Sequence, residues 1–252
     1  MDRYRDGGYL SANPTWHAED SPFKASQVKR AMERSGITPR SIVEVGCGAG
    51  GIVAELARTY PSVPCVGFEV SEDAYRLCGQ HRASNLKYVL GDFVHGEEKV
   101  DVVVCCDVFE HVDDYVGFIR ALGAKARHLV FNIPLDVSVS NILLRRFDDL
   151  RVRYGHLHYF TRETALATLE YAGLKVRTEF LANGGIARAI GAKKRLAAIP
   201  RVIVGAISRE LSCRLMGGCS LVVVADGYDT RSDPPMSKTP AMSGGSVAAS
   251  SK

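Results

Sequence analysis

Val43-Glu44-Val45-Gly46-Cys47-Gly48-Ala49-Gly50-Gly51-Ile52 is the stretch that decides the fold. Ser41 to Val45 is β-branched and apolar around a single acid, the mark of a buried strand, and it breaks off into a run of glycines. Ile52 to Tyr60 then has helical spacing and closes at Pro61. A strand, a glycine-rich turn and a helix make an edge suited to a nucleotide. Glycines let a ligand approach the backbone, and the helix start offers unpaired N–H groups and partial positive charge. The glycines fit two spacings at once. Gly46, Gly48 and Gly51 match G-x-G-x-x-G, the dinucleotide fingerprint, while Gly46, Gly48 and Gly50 match G-x-G-x-G.

Outward from this turn the unit repeats. Upstream, Asp20 or Ser21 caps a helix with Pro22 in its first turn, which runs to about Ser35 and stops at Gly36. Downstream, Pro64 to Val70 is a strand, Ser71 caps a helix to about His81, and Leu86 to Leu90 is a strand closed by Gly91-Asp92. Val100 to Cys106 is a continuous apolar run, as in a parallel strand buried on both faces. Asp113 to Ala126 is helical, His128 to Ile133 is a strand, Thr161 caps a helix ending at Gly173, and Leu174 to Phe180 and Leu221 to Ala225 are strands. Strands alternating with helices at this spacing predict a doubly wound α/β sheet. Helical insertions are expected at about 137–154 and 185–217. Residues 1–20 read as an arm or lid, 21–228 as one domain and 229–252 as a disordered tail.

The chain has 252 residues, 46% hydrophobic and 24% charged, which excludes a mostly disordered chain, and no apolar run reaches the roughly 18 residues of a membrane span. The first residues, Met1-Asp2-Arg3-Tyr4-Arg5-Asp6, include acids and lead into no apolar stretch, so no secretory signal is expected. A net charge of +4 is too small for a nucleic-acid partner unless concentrated. It is concentrated between Gly185 and Gly217, where Arg188, Lys193, Lys194, Arg195, Arg201, Arg209 and Arg214 face one acid, Glu210, beside an Ile199-Ile203-Ile207-Leu211 stripe. That pattern suits peripheral membrane contact, a cover over an acidic substrate, or a dimer contact. The seven cysteines form no zinc spacing, and the expectation is buried reduced thiols in a cytoplasmic protein.

Several acids stand where strands end at the carboxyl edge, the ligand edge of an open α/β sheet. Glu69 ends the second strand and can accept from two ribose hydroxyls. Glu44 sits on the loop-bearing strand, where a carboxylate is costly unless it meets donors. Gly91-Asp92-Phe93 offers an acid for an adenine amino group beside an aromatic face, and Asp107-Val108-Phe109-Glu110-His111-Val112 ends the fourth strand.

With these residues in family order, residues 20 to 227 resemble the class I S-adenosylmethionine-dependent methyltransferases. The closest likeness is to the ubiquinone-biosynthesis-type and related small-molecule or glycan enzymes, through Glu110-His111-Val112 and His156 to Thr161. The resemblance implies a Rossmann-like seven-stranded sheet with its final strand antiparallel, and S-adenosyl-L-methionine as cofactor. Gly46, Gly48 and Gly50 would pass the methionine part, with Glu44 indirectly at its ammonium and Asp107 nearby. Glu69 would hold the ribose, Asp92 the adenine amino group, and Phe93 would lie against the ring.

On the acceptor side, histidine suits the proton removal that an oxygen acceptor needs, which makes His111 and His156 the candidate catalytic residues. His156 and His158 would share a face if the segment is extended. His158 and Tyr159 are candidates for acceptor binding, as are Trp16 and His17 in the arm, although core packing is the favoured role for Tyr159 and Phe160. A metal site on paired histidines has no evident third ligand, so none is expected. The expected activity is methylation of a hydroxyl on a small molecule, lipid-linked intermediate or glycan. Two alternatives stay open: an NAD-dependent oxidoreductase, from Gly46-x-Gly48-x-x-Gly51, and a cofactor-binding regulatory protein without catalysis.

Overall fold

The computed structural model describes residues 13, 15–16, 18–96, 98–182 and 203–228. His17, the basic cluster at 188–201 and the tail from 229 therefore lie outside the described residues.

The first helix, α1 (Ser21–Arg34), is followed by β1 (Ile42–Val45), α2 (Gly51–Thr59), β2 (Cys65–Glu69), α3 (Glu72–Cys78), β3 (Leu86–Leu90) and β4 (Val100–Cys106). Next come α4 (Tyr115–Lys125), β5 (Ala126–Pro134), α5 (Val139–Leu143), α6 (Phe147–Tyr154), α7 (Arg162–Tyr171), β6 (Lys175–Ala182), α8 (Arg209–Met216) and β7 (Ser220–Asp226). The expected 137–154 insert is thus two short helices, split where Arg145 takes a positive φ of 51°. The arm is not wholly irregular, since Ala18–Asp20 forms a 3-10 turn leading into α1.

The strands form one seven-stranded sheet in the order β3-β2-β1-β4-β5-β7-β6. All pairings from β3 to β5 are parallel, and β7 lies antiparallel between β5 and β6. Alternate residues of each strand serve opposite cores. Val43, Val103, Cys105, Leu129, Phe131 and Val223 face one layer with Ile119, Leu122 and Leu169 of α4 and α7. Ile42, Val102, Val104, Cys106, Val130 and Val224 face the other, against Val28 and Met32 of α1 and Val53 and Leu56 of α2. The chain winds outward from β1 to β3 and returns to β4 beside β1, so the strand order reverses there. The carboxyl ends of β1 and β4 therefore border the crevice where ligands of such sheets bind.

The cysteine expectation needs correction. Cys47, Cys65, Cys78, Cys105 and Cys106 are buried free thiols, but Cys213 and Cys219 form a disulfide. Gly217 and Gly218, both at positive φ, fold the end of α8 back onto the start of β7 and bring the two Cα atoms to 5.6 Å. Among the described residues no helix is long and apolar enough to cross a membrane.

Candidate active site

The turn after β1 resolves the ambiguity of its glycines. Gly46, Gly48 and Gly50 take φ of +66°, +56° and +78°, whereas Gly51 opens α2, so the working spacing is G-x-G-x-G. Gly48 must also be small, because a Cβ there would lie 2.7 Å from Cδ1 of Trp16. Gly50 is the N-cap of α2 and has no side chain to cap with. Glu44 does the capping from β1 instead: its Oε2 accepts from the N–H of Val53 at 2.8 Å, an otherwise orphaned donor of the first turn. Burial pushes the Glu44 carboxyl up to about 8, against the pull of that N–H and of Lys24.

Glu69 holds the other side of the turn. Its Oε2 accepts from the Gly48 N–H at 2.8 Å, and its Oε1 accepts from Val70 and Ser71 N–H at 2.9 and 2.8 Å. Burial raises its carboxyl, and these N–H groups restrain the rise. Tyr88 of β3 braces the turn from below, its hydroxyl donating to the Gly50 carbonyl at 2.8 Å.

Across the crevice, Asp107 closes β4 in a left-handed conformation at φ 54°, unusual for a residue with a side chain. Its own N–H donates to the Asn132 carbonyl at 2.9 Å, and Asn132 Nδ2 donates to Oδ1 at 2.6 Å. Lys24 of α1 reaches its Oδ2 at 2.6 Å. Burial alone would raise the Asp107 carboxyl, but the Lys24 charge and hydrogen bond reverse this and hold it below its ordinary value. Burial likewise opposes the Lys24 charge, and Asp107 overcomes it, so the ammonium stays charged.

A third wall is built by Glu110, His111 and His156. Glu110 is fully buried, and neither carboxylate oxygen has a hydrogen-bond partner among the described residues. Burial first, then the Asp107 charge, pushes its carboxyl well above the usual range. His111 Nδ1 lies 3.1 Å from the Gly155 carbonyl, and His156 Nδ1 lies 2.6 Å from Asp136 Oδ2. Both acceptors are oxygens, so each ring donates from Nδ1. The rings meet edge to face, centroids 4.9 Å apart. Burial, with His156 adding to it, lowers His111 to about 4, so its ring is neutral near pH 7.

These walls enclose a cleft of about 350 Å³. Of the expected residues it brings together Trp16, Glu44, Gly46, Gly48, Asp107, His111 and His156, and it adds Lys24 and Asp136. Trp16 sits against Gly48, on the glycine-loop side. Gly50 and Glu69 stand behind the loop. Asp92 caps the turn after β3, accepting from Val94 N–H at 2.8 Å, and lies outside the cleft lining.

Two expectations are corrected. Phe93 offers no face to a ligand: it is 1% exposed in the core, edge-on to Phe68 with centroids 5.2 Å apart. His158 does not share a face with His156, because the N–H groups of Leu157 and His158 both donate to the Glu110 carbonyl and bend the segment. Its Nε2 meets the Val112 carbonyl at 3.0 Å and its ring packs on Tyr115. Tyr159 fastens α6, its hydroxyl 3.1 Å from the carbonyls of Phe147 and His156. The histidines that the fold brings together are His111 and His156 rather than His156 and His158, and Glu110 Oε1 lies 3.9 Å from His111 Nε2.

Lys24, Tyr88, Asn132 and Asp136 were not foreseen. Asn132 carried a signal, as the polar interruption of Leu129-Val130-Phe131-Asn132-Ile133. Lys24 is one of 32 basic residues and carried none.

A methyltransferase-domain family model matches residues 16–179, well over half of the chain. The Ubiquinone biosynthesis O-methyltransferase of Colwellia psychrerythraea is 27% identical over 129 residues, covering 48% of this chain and 52% of that protein. The chain spans about half the length of such curated relatives. A chain of the complex between the Haloferax volcanii Trm112 methyltransferase activator and its methyltransferase matches with a TM-score of 0.63 at 14% identity, covering 86% of this chain and 96% of that one. The N-methyltransferase NodS of Bradyrhizobium japonicum, crystallised with S-adenosyl-L-homocysteine, matches with a TM-score of 0.56 at 19% identity, covering 88% and 98%. At these identities the two structures attest the fold.

Proposed function

Because the chain belongs to the methyltransferase-domain family, we propose that it transfers the methyl group of S-adenosyl-L-methionine to an oxygen of a small-molecule acceptor. The observation that carries this reading is the opposition, within one cleft, of the positive-φ glycine turn to the imidazoles of His111 and His156. The methionine part lies along Gly46 and Gly48, where Lys24 and Asp107 present one charge of each sign to its carboxylate and ammonium. Glu44 acts behind the turn by capping α2. A carboxylate has about four acceptor sites, so Glu69 Oε2 keeps one for a ribose hydroxyl beyond its bond to Gly48. Asp92, which caps the turn after β3, serves the adenine amino group with its remaining acceptor sites.

Transfer is an in-line displacement. The acceptor oxygen forms its bond to the methyl carbon as the carbon–sulfur bond breaks, and that electron pair goes to sulfur. The cofactor supplies the reactivity, and the protein supplies alignment. The hydroxyl proton is lost on the imidazole side of the cleft. An oxygen acceptor agrees with the O-methyltransferase among the relatives, and the imidazole wall supports it because a hydroxyl needs help to lose its proton. Ile203 and Ile207, 59% and 80% exposed, and the exposed Ile142, Leu143 and Leu144 of the α5 region support a peripheral lipid contact that would bring a lipid-linked acceptor to the cleft.

The test is incubation of the protein with methyl-labelled cofactor and a metabolite extract, followed by mass analysis of the labelled product. Label in an alkali-stable methyl ether supports the reading. Label only on nitrogen or carbon, or none, refutes it.

A further inference from the structure

At the end of the sheet opposite the cleft, the amino ends of β4 and β5 and the last residue of β7 surround a second hollow of about 540 Å³. Small-molecule sites span roughly 300–1,000 Å³, so the space is large enough for a ligand. Four bases line it, Lys99, Lys125, Arg127 and Arg177, against one acid, Asp226. Charges of one sign in a concave wall repel one another and focus their potential into the space between them.

Pairing with acids does not account for these bases. Asp226 is already shared, with His128 Nδ1 at 2.8 Å from its Oδ1 and Arg177 Nε at 3.3 Å from its Oδ2. That contact leaves both Nη groups of Arg177 uncommitted among the described residues. Asp101 accepts from the Arg40 backbone N–H at 2.8 Å and keeps Arg127 at a long 3.9 Å. Lys99 has neither an ion pair nor a hydrogen bond among the described residues. Only Lys125 has spent its donors, on the carbonyls of Phe93 and Gly96, and its charge still adds to the field.

The backbone that presents the bases is fixed. Gly227 N–H donates to the Arg127 carbonyl at 3.0 Å, Tyr228 N–H to the Gly123 carbonyl at 2.9 Å, and the Tyr228 hydroxyl to the Ala172 carbonyl. A Cβ on Gly227 would overlap the Ala126 carbonyl, so the chain leaving β7 lies pressed against β5. The bond to Gly123, with Ala126 N–H on Leu122, also closes carbonyls at the end of α4. The negative end of that helix is thereby blunted, and the hollow offers an incoming molecule mainly cations.

We propose that this hollow binds a small molecule carrying two or more phosphate groups, with Lys99, Arg127 and Arg177 as its charged partners. Guanidinium groups match phosphate oxygens in pairs and favour phosphate over a neutral ligand. The three bases come from three separate elements, the approach to β4, β5 and β6, so one compact anion would not satisfy them all. The zwitterionic S-adenosyl-L-methionine does not fit this description, and the site is independent of the methyl-transfer reading.

Pyrophosphate is the probe, because it carries two phosphate groups and nothing else. Titration calorimetry of the full-length protein should show one pyrophosphate per chain. Arg127→Gln and Arg177→Gln should each weaken it about tenfold, and the double variant about a hundredfold, since each removes one charge-assisted contact. Both side chains lie at the surface, and an affinity for S-adenosyl-L-homocysteine unchanged within a few-fold shows that the fold survives. Pyrophosphate should raise the thermal midpoint of the unaltered protein and not that of the double variant. Absence of saturable binding overturns the proposal, as does binding undiminished in the double variant. Two controls locate the anion elsewhere if it is elsewhere. Loss of binding in Lys24→Met would put it in the cleft, and loss on replacing Lys193, Lys194 and Arg195 together with Gln would put it on the basic cluster, and either result overturns the assignment. Inorganic phosphate should bind at least about tenfold more weakly than pyrophosphate; equal affinity overturns a ligand with two phosphate groups.

Discussion

Glu69→Gln is the most informative substitution on the cofactor side, because the structure distinguishes what each carboxylate oxygen does. Oε1 serves the backbone of the next turn, at Val70 and Ser71, and Oε2 serves only Gly48 of the glycine turn. Glu69→Ala would strip all three N–H groups of a charged acceptor. At about 1.5–3 kcal/mol per bond, that approaches the whole stability of a domain, roughly 5–15 kcal/mol. A global failure of Glu69→Ala would therefore say little about the ligand. Glutamine keeps one acceptor oxygen, which satisfies Val70 and Ser71, and it turns an amide NH₂ toward the Gly48 N–H, donor against donor. The loss is then one charge-assisted bond, about 2 kcal/mol, felt at Gly48. With about 1.4 kcal/mol per tenfold, titration calorimetry should show S-adenosyl-L-homocysteine bound about 10- to 100-fold more weakly, with a modest fall in the urea midpoint. Unchanged affinity alongside a lowered midpoint would refute the reasoning. Glu69 would then be a turn fastener, and the Gly48 backbone no part of the ligand wall.

Lys24→Met removes the cation from Asp107, and because the Asp107 side chain is 28% exposed the expected loss is on the order of 2 kcal/mol, below that of a fully buried pair. Since Asp107 is held below its ordinary pKa, the pair stabilises the fold above the unfolded aspartate range and is lost as pH falls through the folded value; denaturation at falling pH should show a shallower acid limb in the variant. Glu44 has the opposite sign. Its carboxyl is raised from 4.5 to about 8, so the folded state holds the extra proton and stability falls as pH rises through that window. Urea midpoints should show Glu44→Gln flattening the slope while still capping Val53. Anionic liposomes should cosediment the protein at low salt and release much of it at high salt, and replacing Ile203 and Ile207 with Ser should weaken the association.

Most of the fold was legible because buried parallel strands are read without tertiary context. Val100 to Cys106 and His128 to Ile133 are continuous apolar runs, and their ends shifted by at most two residues. The glycine turn and the acids at strand ends were legible for a related reason, because they are local features of the chain. Failures came where long-range packing decides. Phe93 follows a plausible ligand acid, but the turn that Asp92 caps swings its ring into the core. His156 and His158 alternate in sequence, yet two N–H groups bonding one carbonyl outweigh that periodicity. Lys24 reaches Asp107 across 83 positions of chain, and no spacing rule spans that distance. Glu110 was visible in its motif, but that its oxygens meet no hydrogen-bond donor among the described residues is a property of the folded interior.

A crystal structure with S-adenosyl-L-homocysteine bound is the most direct test of the central claim, that the crevice between the ends of β1 and β4 is where the methyl group is presented. The homocysteine part is expected along Gly46 to Gly48, its charged ends at Lys24 and Asp107, with the sulfur turned toward His111 and His156. Density in the basic hollow at the opposite end of the sheet, lined by Lys99, Arg127 and Arg177, or a sulfur facing away from both imidazoles, would contradict it.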